Sequence, residues 1–381
     1  MRYAIVTETY PPEVNGVALT VQAMEQGLRA RGHEITVIRP RQASDTAGAF
    51  ETLVPGLGLP RYPGLRFGMP ATRRLQRVWS QTPPDAIYVA TEGPLGWSAL
   101  RAAHRLGIPV ATGFHTRYDQ YMRNYGLGFL QTVAMRWMRR FHNRGQATLV
   151  PTRELQSFLR VEGFINPVRL SRAVDTRLFH PARRDDRLRT QWGLDESGLA
   201  VIHVGRVAPE KNLELAVRAF RAMQATRPQA RFIVVGDGPS REQLQRDNPD
   251  FIFCGVQRGD ALAAHFGSAD LFVFPSRTET FGNVTLEAMA SGVATVAFDR
   301  GAAHEAICDG IHGAAVADGD ERAFVDACVR LAREPVLRGG MAMAARQSML
   351  RLNPDQVAAD LEQILATLRL SGAHDATLAQ A

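Results

Sequence analysis

Short apolar runs that end in turn residues alternate with stretches of helical periodicity along the whole chain. In the first half, Tyr3–Thr7, Glu34–Arg39, Ala86–Ala90, Pro109–Thr112 and Ala147–Val150 predict strands. Between them the spacing of apolar residues predicts helices near Val17–Arg31, Leu95–Leu106, Phe129–Asn143 and Arg153–Glu162. The pattern then restarts, with strands expected at Ala200–Val204, Arg231–Val235, Phe251–Phe253, Leu271–Phe274 and Ala294–Phe298. Helices near Asn212–Gln224, Val284–Ala290 and Glu321–Arg333 intervene. The strands are apolar without alternation, so both faces of their sheets must be buried, which is the habit of parallel sheets covered by helices. Two such series predict an α/β protein of two Rossmann-like, doubly wound domains.

The expected divisions are an N-terminal domain over 1–170, a linker over 171–198 and a C-terminal domain over 199–353. The linker stretch holds Pro181, the cluster Arg183-Arg-Asp-Asp-Arg187 and no long apolar run. Within 354–381, a last helix near Pro354–Leu370 is expected to pack back towards the first domain, with a fraying tail from Ser371.

A chain of 381 residues accommodates two domains of this kind. Cys254, Cys308 and Cys328 are far apart, which argues against a disulfide framework or structural zinc and fits a reducing, cytoplasmic setting. No apolar run approaches the roughly 20 residues of a membrane-spanning helix, and Met1–Glu8 reads as a strand with a carboxylate, not a leader. The net charge of +7 is uneven: Met1–Leu170 carries 21 arginines against 11 acidic residues, and the remainder is slightly acidic. A basic half suggests an anionic partner for that half. Lys211 is the one lysine in the chain.

Two segments of the second half carry candidate chemistry. Val201–Asn212 reads as a strand, a turn and a helix start, with Arg206 and Lys211 at the strand's carboxyl end. Ligands bind at that edge of open α/β sheets, and a forked cation beside a point charge suits a diphosphate. A solvated Arg206, with Lys211 paired to Glu210 or Glu214, is the alternative. Ser276–Gly292 follows another strand and turns into a helix near Gly282. Free amides of a first helical turn, backed by the helix dipole, bind anions. Glu279 precedes that helix and Glu287 lies one to two turns inside it, an offset of roughly 7–8 Å at 1.5 Å per residue. That length suits two polyol-binding carboxylates with a diphosphate between them. Asp318-Gly-Asp320 reads as a helix cap, not a metal site.

These segments resemble those of the retaining GT-B glycosyltransferases of family 4, which include bacterial mannosyl- and glucosyltransferases of glycolipids. The resemblance rests on Gly205-Arg206 through Glu210-Lys211, Val235–Pro239, Glu279 to Glu287, and Val174-Asp175 with Phe179, although Ala173 stands where glycine is usual. It implies two domains facing a cleft and a nucleotide-sugar donor, GDP-mannose before UDP-glucose. It further implies no metal or other cofactor and a lipid or glycan acceptor. By the same resemblance Arg206 and Lys211 would hold the diphosphate, Glu279 the sugar and Glu287 the ribose. Phe281, Gly282, Asn283 and Val284 would supply amides to the phosphates, and Val256 would lie near the base.

In the first half, Tyr10–Gly16 is a loop at a strand end where Gly16 allows close approach, and His115 follows a buried strand. The resemblance implies that His115 contacts the donor sugar. Trp137, Met138 and Phe141 are expected on or near one helical face, among Arg136, Arg139, Arg140 and Arg144. Such a helix suits the anionic inner face of the plasma membrane; a core helix with a solvated basic face fits equally. No nucleic-acid module accompanies the charge. A sugar-nucleotide epimerase shares the architecture and is the competing enzyme class. A nicotinamide-dependent oxidoreductase lacks its glycine fingerprint here.

Overall fold

A computed structural model of the chain describes residues 1–13, 15–42, 50–59, 62–115, 131–352 and 354–378. The chain divides into two compact units, Met1–Ser171 with Pro354–Ala381, and Arg172–Asn353.

The first unit contains β1 (Arg2–Val6), β2 (Glu34–Pro40), β3 (Glu51–Val54), β4 (Gly56–Leu59), β5 (Tyr62–Gly68), β6 (Ala86–Val89), β7 (Val110–Gly113), β8 (Ala147–Val150) and β9 (Pro167–Arg169). Seven of these form a parallel sheet in the order β3-β2-β1-β6-β7-β8-β9, while β4 and β5 pair as an antiparallel hairpin. Successive residues of one strand serve different cores. Tyr3, Ile5, Val37 and Tyr88 enter one cluster, and Ala4, Val6, Ile38, Ile87 and Val89 enter the cluster on the other face. This is why the strands read as continuous apolar runs.

The last helix, Pro354–Leu378, lies in the first unit and places Leu361, Leu365 and Leu368 in its core beside Val21, Met24 and Leu28. The contact with helix Gly16–Ala30 is close: a Cβ on Gly27 would stand 2.6 Å from the Ala358 Cβ. Glu362 fastens the same contact by pairing with Arg31 and, at 2.9 Å, with His33. The helix continues past Leu370 to Leu378.

The second unit contains β10 (Ala200–Val204), β11 (Arg231–Val235), β12 (Ile252–Gly255), β13 (Leu271–Phe274), β14 (Ala294–Phe298) and β15 (Gly313–Val316), all parallel in the order β12-β11-β10-β13-β14-β15. The stretch 171–198 carries the short helix Asp186–Gln191 and buries Val174, Phe179, Trp192 and Leu194 in this unit's core. Arg346 ties it down by donating to the carbonyls of Thr176, Phe179 and Ala290 at 2.8–3.2 Å. Asp320 accepts from the Ala323 amide and caps helix Glu321–Arg333, while Asp318 pairs with Arg300.

Candidate active site

In the second unit the strand order reverses between β10 and β13. Loops leaving adjacent strands in opposite directions open a crevice at such a point, and helix N-termini face into it. Arg206 and Lys211 follow β10, and Glu279 through Val284 follow β13, so the topology brings these residues to one edge. Val256 follows β12, two strands along from β10, and is half exposed.

The loop after β10 lies against the loop after β11. The Gly205 amide donates to Val235 and the Val207 amide to Asp237, both at 3.0 Å. Gly236, at φ +138°, makes this possible, because a Cβ there would stand 1.9 Å from the Gly205 carbonyl oxygen. A single 3-10 turn, Pro209–Lys211, then ends at Asn212 in the left-handed region. Lys211 is thereby carried over the Phe274 ring, 5.6 Å from its centroid, where its ammonium pairs with the Glu279 carboxylate. Lys211 thus pairs with neither Glu210 nor Glu214. Arg206 lies 3.5 Å from Glu210, whose carbonyl accepts from the Arg277 amide at 3.3 Å and joins the two loops. Arg277 in turn pairs with Glu321, which also holds Arg218.

Helix Asn283–Ala290 begins at Gly282, where φ is +92° and no side chain caps the first turn. The carbonyl of Phe281 is occupied, accepting from the Ala302 amide at 2.6 Å. Gly301 permits that approach, since a Cβ there would stand 2.4 Å from the same oxygen. An uncapped first turn leaves amide donors and the positive end of the dipole available to an anion. Glu287 is the fifth residue of this helix, about 7.5 Å along its axis from Gly282. Burial alone pushes its carboxyl up to about 7. Beneath the site, His203 on β10 is fully buried, with Nδ1 3.2 Å from the Val273 carbonyl. Burial holds its imidazole down to about 4, with Lys211 a minor contributor, so it adds no positive charge at neutral pH.

In the first unit the order reverses between β1 and β6. Here the side chains of the chain itself fill the edge. Asn15 accepts from the Val17 and Ala18 amides at 3.1 and 2.9 Å and caps helix Gly16–Ala30. Its amide nitrogen donates to Thr9, whose hydroxyl donates to Glu13. A Cβ on Gly16 would meet nothing within 4 Å, so no crowding within the chain demands a glycine there. Glu8, just past β1, is buried and accepts from the Gly68 amide and from Leu95, in the first turn of helix Pro94–Leu106, at 2.8 Å. Burial outweighs those hydrogen bonds and pushes its carboxyl up to about 7.

His115 stands two residues past β7, its Nε2 2.7 Å from the Tyr88 hydroxyl. The neighbouring stretch Thr116–Tyr125, with Gly126, lies outside the described residues. In helix Gln131–His142 Met138 and Phe141 are buried, and Trp137, 44% exposed, stacks on the Phe141 ring with centroids 5.8 Å apart. Trp137 also lines an exposed ridge with Val133, Arg136 and Arg140, at helical spacing. Sequence reasoning missed the buried pair Glu92 and His142, 3.2 Å apart, with His142 also 2.8 Å from the Thr112 hydroxyl. It also missed Glu8 and His203. None belongs to a local motif, and their partners lie 30–87 residues away. Among the described residues no helix is long and apolar enough to cross a membrane.

Comparison with known proteins gives the family of the chain. Residues 198–334 match the family model for glycosyl transferases group 1, and residues 14–178 match that for glycosyltransferase family 4. The chain is 36% identical over 358 residues to a GDP-mannose-dependent alpha-mannosyltransferase of Mycolicibacterium smegmatis, covering 92% of this chain and 93% of the relative. It is 28% identical to a GDP-mannose-dependent alpha-(1-6)-phosphatidylinositol dimannoside mannosyltransferase of Mycobacterium tuberculosis, covering 78% and 79%. Among solved structures, the sucrose-phosphate synthase of Thermosynechococcus elongatus superposes with a TM-score of 0.78 at 17% identity, covering 97% of this chain and 99% of that one. The chain belongs to glycosyltransferase family 4, the glycosyl transferases group 1, and is a hexosyltransferase of GT-B fold that uses a nucleotide-sugar donor.

Proposed function

We propose that the chain transfers mannose from GDP-mannose to a hydroxyl of a lipid-linked acceptor, with retention at the anomeric carbon and without a metal ion. The observation that carries this reading is the uncapped N-terminus of helix Asn283–Ala290, flanked by the Lys211–Glu279 pair. The donor diphosphate would bind the amides around Phe281, Gly282, Asn283 and Val284, with Arg206 and Lys211 neutralising its charge. Those groups supply the positive charge that a metal would otherwise bring. Glu279 accepts from sugar hydroxyls and Glu287 from the ribose, while Val256 borders the base. Gly16, with open space where a Cβ would stand, gives the diphosphate room, and His115 donates a hydrogen bond to the transferred sugar.

In the reaction the bond from the anomeric carbon to the β-phosphate oxygen breaks, and a bond to the acceptor oxygen forms on the same face. The acceptor proton passes to the departing phosphate oxygen. Arg206, Lys211 and the helix dipole stabilise the developing charge, which preorganised donors do most strongly in a site closed to water. Mannose is favoured by the 36% identical relative, and a lipid acceptor by the phosphatidylinositol dimannoside relative. The exposed ridge of Val133, Arg136, Trp137 and Arg140 suits docking on an anionic membrane at the inner face of the plasma membrane. A soluble glycan acceptor is the second reading.

The test is GDP release on mixing the purified protein with GDP-mannose and an acceptor panel of diacylglycerol lipids, glycolipids and soluble glycans. Acceptor-dependent GDP release with an α-mannosyl product is expected. Release from UDP-glucose alone would overturn the donor. An epimerised sugar nucleotide, with no acceptor consumed, would overturn transfer altogether.

A further inference from the structure

A buried polar cluster in the first unit plays no part in the proposed reaction. It draws Glu92 from the loop after β6, Thr112 from β7 and His142 from the end of helix Gln131–His142. All three are buried. His142 Nδ1 lies 2.8 Å from the Thr112 hydroxyl, and Nε2 lies 3.2 Å from the Glu92 carboxylate. With both nitrogens bonded away from water, the ring cannot turn without stranding a buried polar group, which is costly. The same ring packs against Phe114 and Phe164, with centroids 5.3 and 5.7 Å away.

These contacts converge on the strand that leads to His115. The Phe114 amide donates to the Leu149 carbonyl at 2.9 Å and so continues the pairing of β7 with β8. Successive side chains of an extended chain point to opposite faces. Thr112 and Phe114 therefore share one face, and the His142 imidazole packs against both. Gly113 and His115 share the other, where His115 Nε2 lies 2.7 Å from the Tyr88 hydroxyl. A Cβ on Gly113 would stand 2.6 Å from His115 Nε2, so the histidine lies back against its own strand.

We infer that His142 is a positioning residue for His115. It fixes Thr112 and Phe114, and through them the end of the strand, while Glu92 holds its far nitrogen. A buried pair of this kind often contributes no more stability than apolar residues of similar volume. What it supplies here is a fixed direction for the strand end, and a misplacement of about 1 Å can cost about 100-fold in rate. The inference rests on the reading that His115 donates to the transferred sugar, and deepens it by naming what aims the strand that carries it.

The test measures GDP release from GDP-mannose by the full chain, per folded molecule. The double variant Glu92→Leu/His142→Phe replaces the pair with apolar side chains, and Thr112→Val removes only the hydroxyl. The double variant is expected to keep a thermal midpoint near that of wild type. Its kcat should be about tenfold lower, with KM for GDP-mannose changed by less than about twofold. Thr112→Val should lower kcat about threefold, and Thr112→Ser, which keeps the hydroxyl, should restore it. In a His115→Ala background neither change should lower kcat further, because both act through His115. Wild-type kcat in either variant would overturn the inference. So would a loss that only tracks the folded fraction measured by circular dichroism, or a further loss added to that of His115→Ala. If His115→Ala itself keeps the wild-type kcat, the reading that His115 contacts the sugar fails, and this inference with it.

Discussion

The two units present the same architectural opportunity and use it in opposite ways. Each has a parallel sheet whose order reverses once at its centre, and each directs helix N-termini to that edge. In the first unit the N-termini are occupied. Asn15 caps one helix, and the Glu8 carboxyl accepts from the first turn of another. In the second unit helix Asn283–Ala290 starts uncapped, with Arg206 and Lys211 nearby. A helix N-terminus favours negative charge wherever it occurs. When the chain's own side chains accept from the first turn, the result is a structural joint; when none does, the amides stay available to a ligand. Whether a doubly wound unit binds an anion is therefore decided by a few loop residues, not by its topology.

The contrast can be broken from either side. Lys211→Ala removes the cation proposed to hold the diphosphate and leaves the Glu279 carboxylate unpaired, so kcat/KM for GDP-mannose should fall by about 100- to 1000-fold. Steady-state GDP release checks this. In the first unit the largest effect falls on stability. The Glu8 carboxyl is raised from 4.5 to about 7, so the folded state binds a proton more tightly than the unfolded state does. The stabilisation from protonated Glu8 is full below pH 4.5 and is lost as pH rises through about 7, worth up to about 3 kcal/mol. Urea unfolding of wild type and Glu8→Ala at several pH values should show a gap that narrows over this window.

Asn283→Asp would make the second unit resemble the first, by placing a carboxylate in the first helical turn. Donor affinity should fall about tenfold through repulsion of the diphosphate, while the helix gains a few tenths of a kcal/mol. Titration calorimetry with GDP separates the two. Asn15→Ala uncaps the first unit's helix and should cost about 1 kcal/mol in urea unfolding, with little change in GDP affinity. The smallest effect concerns Glu287, raised to about 7. A carboxylate accepts from both ribose hydroxyls better than a carboxylic acid, so KM for the donor should fall a few-fold as pH rises through about 7. Glu287→Gln should flatten that step.

Much of this contrast was legible along the chain on one side only. The strands around both sheet centres are continuous apolar runs, and Glu279, Gly282 and Glu287 lie within nine residues of one another, so local spacing reveals them. Lys211 was visible as a cation, but its partner is 68 residues away and could not be read from spacing. Glu8 looked like an interruption in a strand. Its function depends on Gly68 and Leu95, which only the fold brings near. The hairpin of β4 and β5 went unrecognised because Gly56, Gly58, Pro60, Pro63, Gly64 and Gly68 resemble a run of turns. Helix Thr72–Gln81 went unrecognised because it buries only Leu75 and Trp79. Contacts that close a ligand site with the chain's own side chains are non-local, whereas an open site leaves its residues in a compact motif.

A crystal structure of the chain with bound GDP tests the contrast most directly. The β-phosphate is expected within hydrogen-bonding distance of the amides of Asn283 and Val284, with Lys211 turned towards it and the ribose on Glu287. Phosphates bound instead at the N-terminus of helix Gly16–Ala30 or Pro94–Leu106, with the first turn of helix Asn283–Ala290 empty, would contradict it.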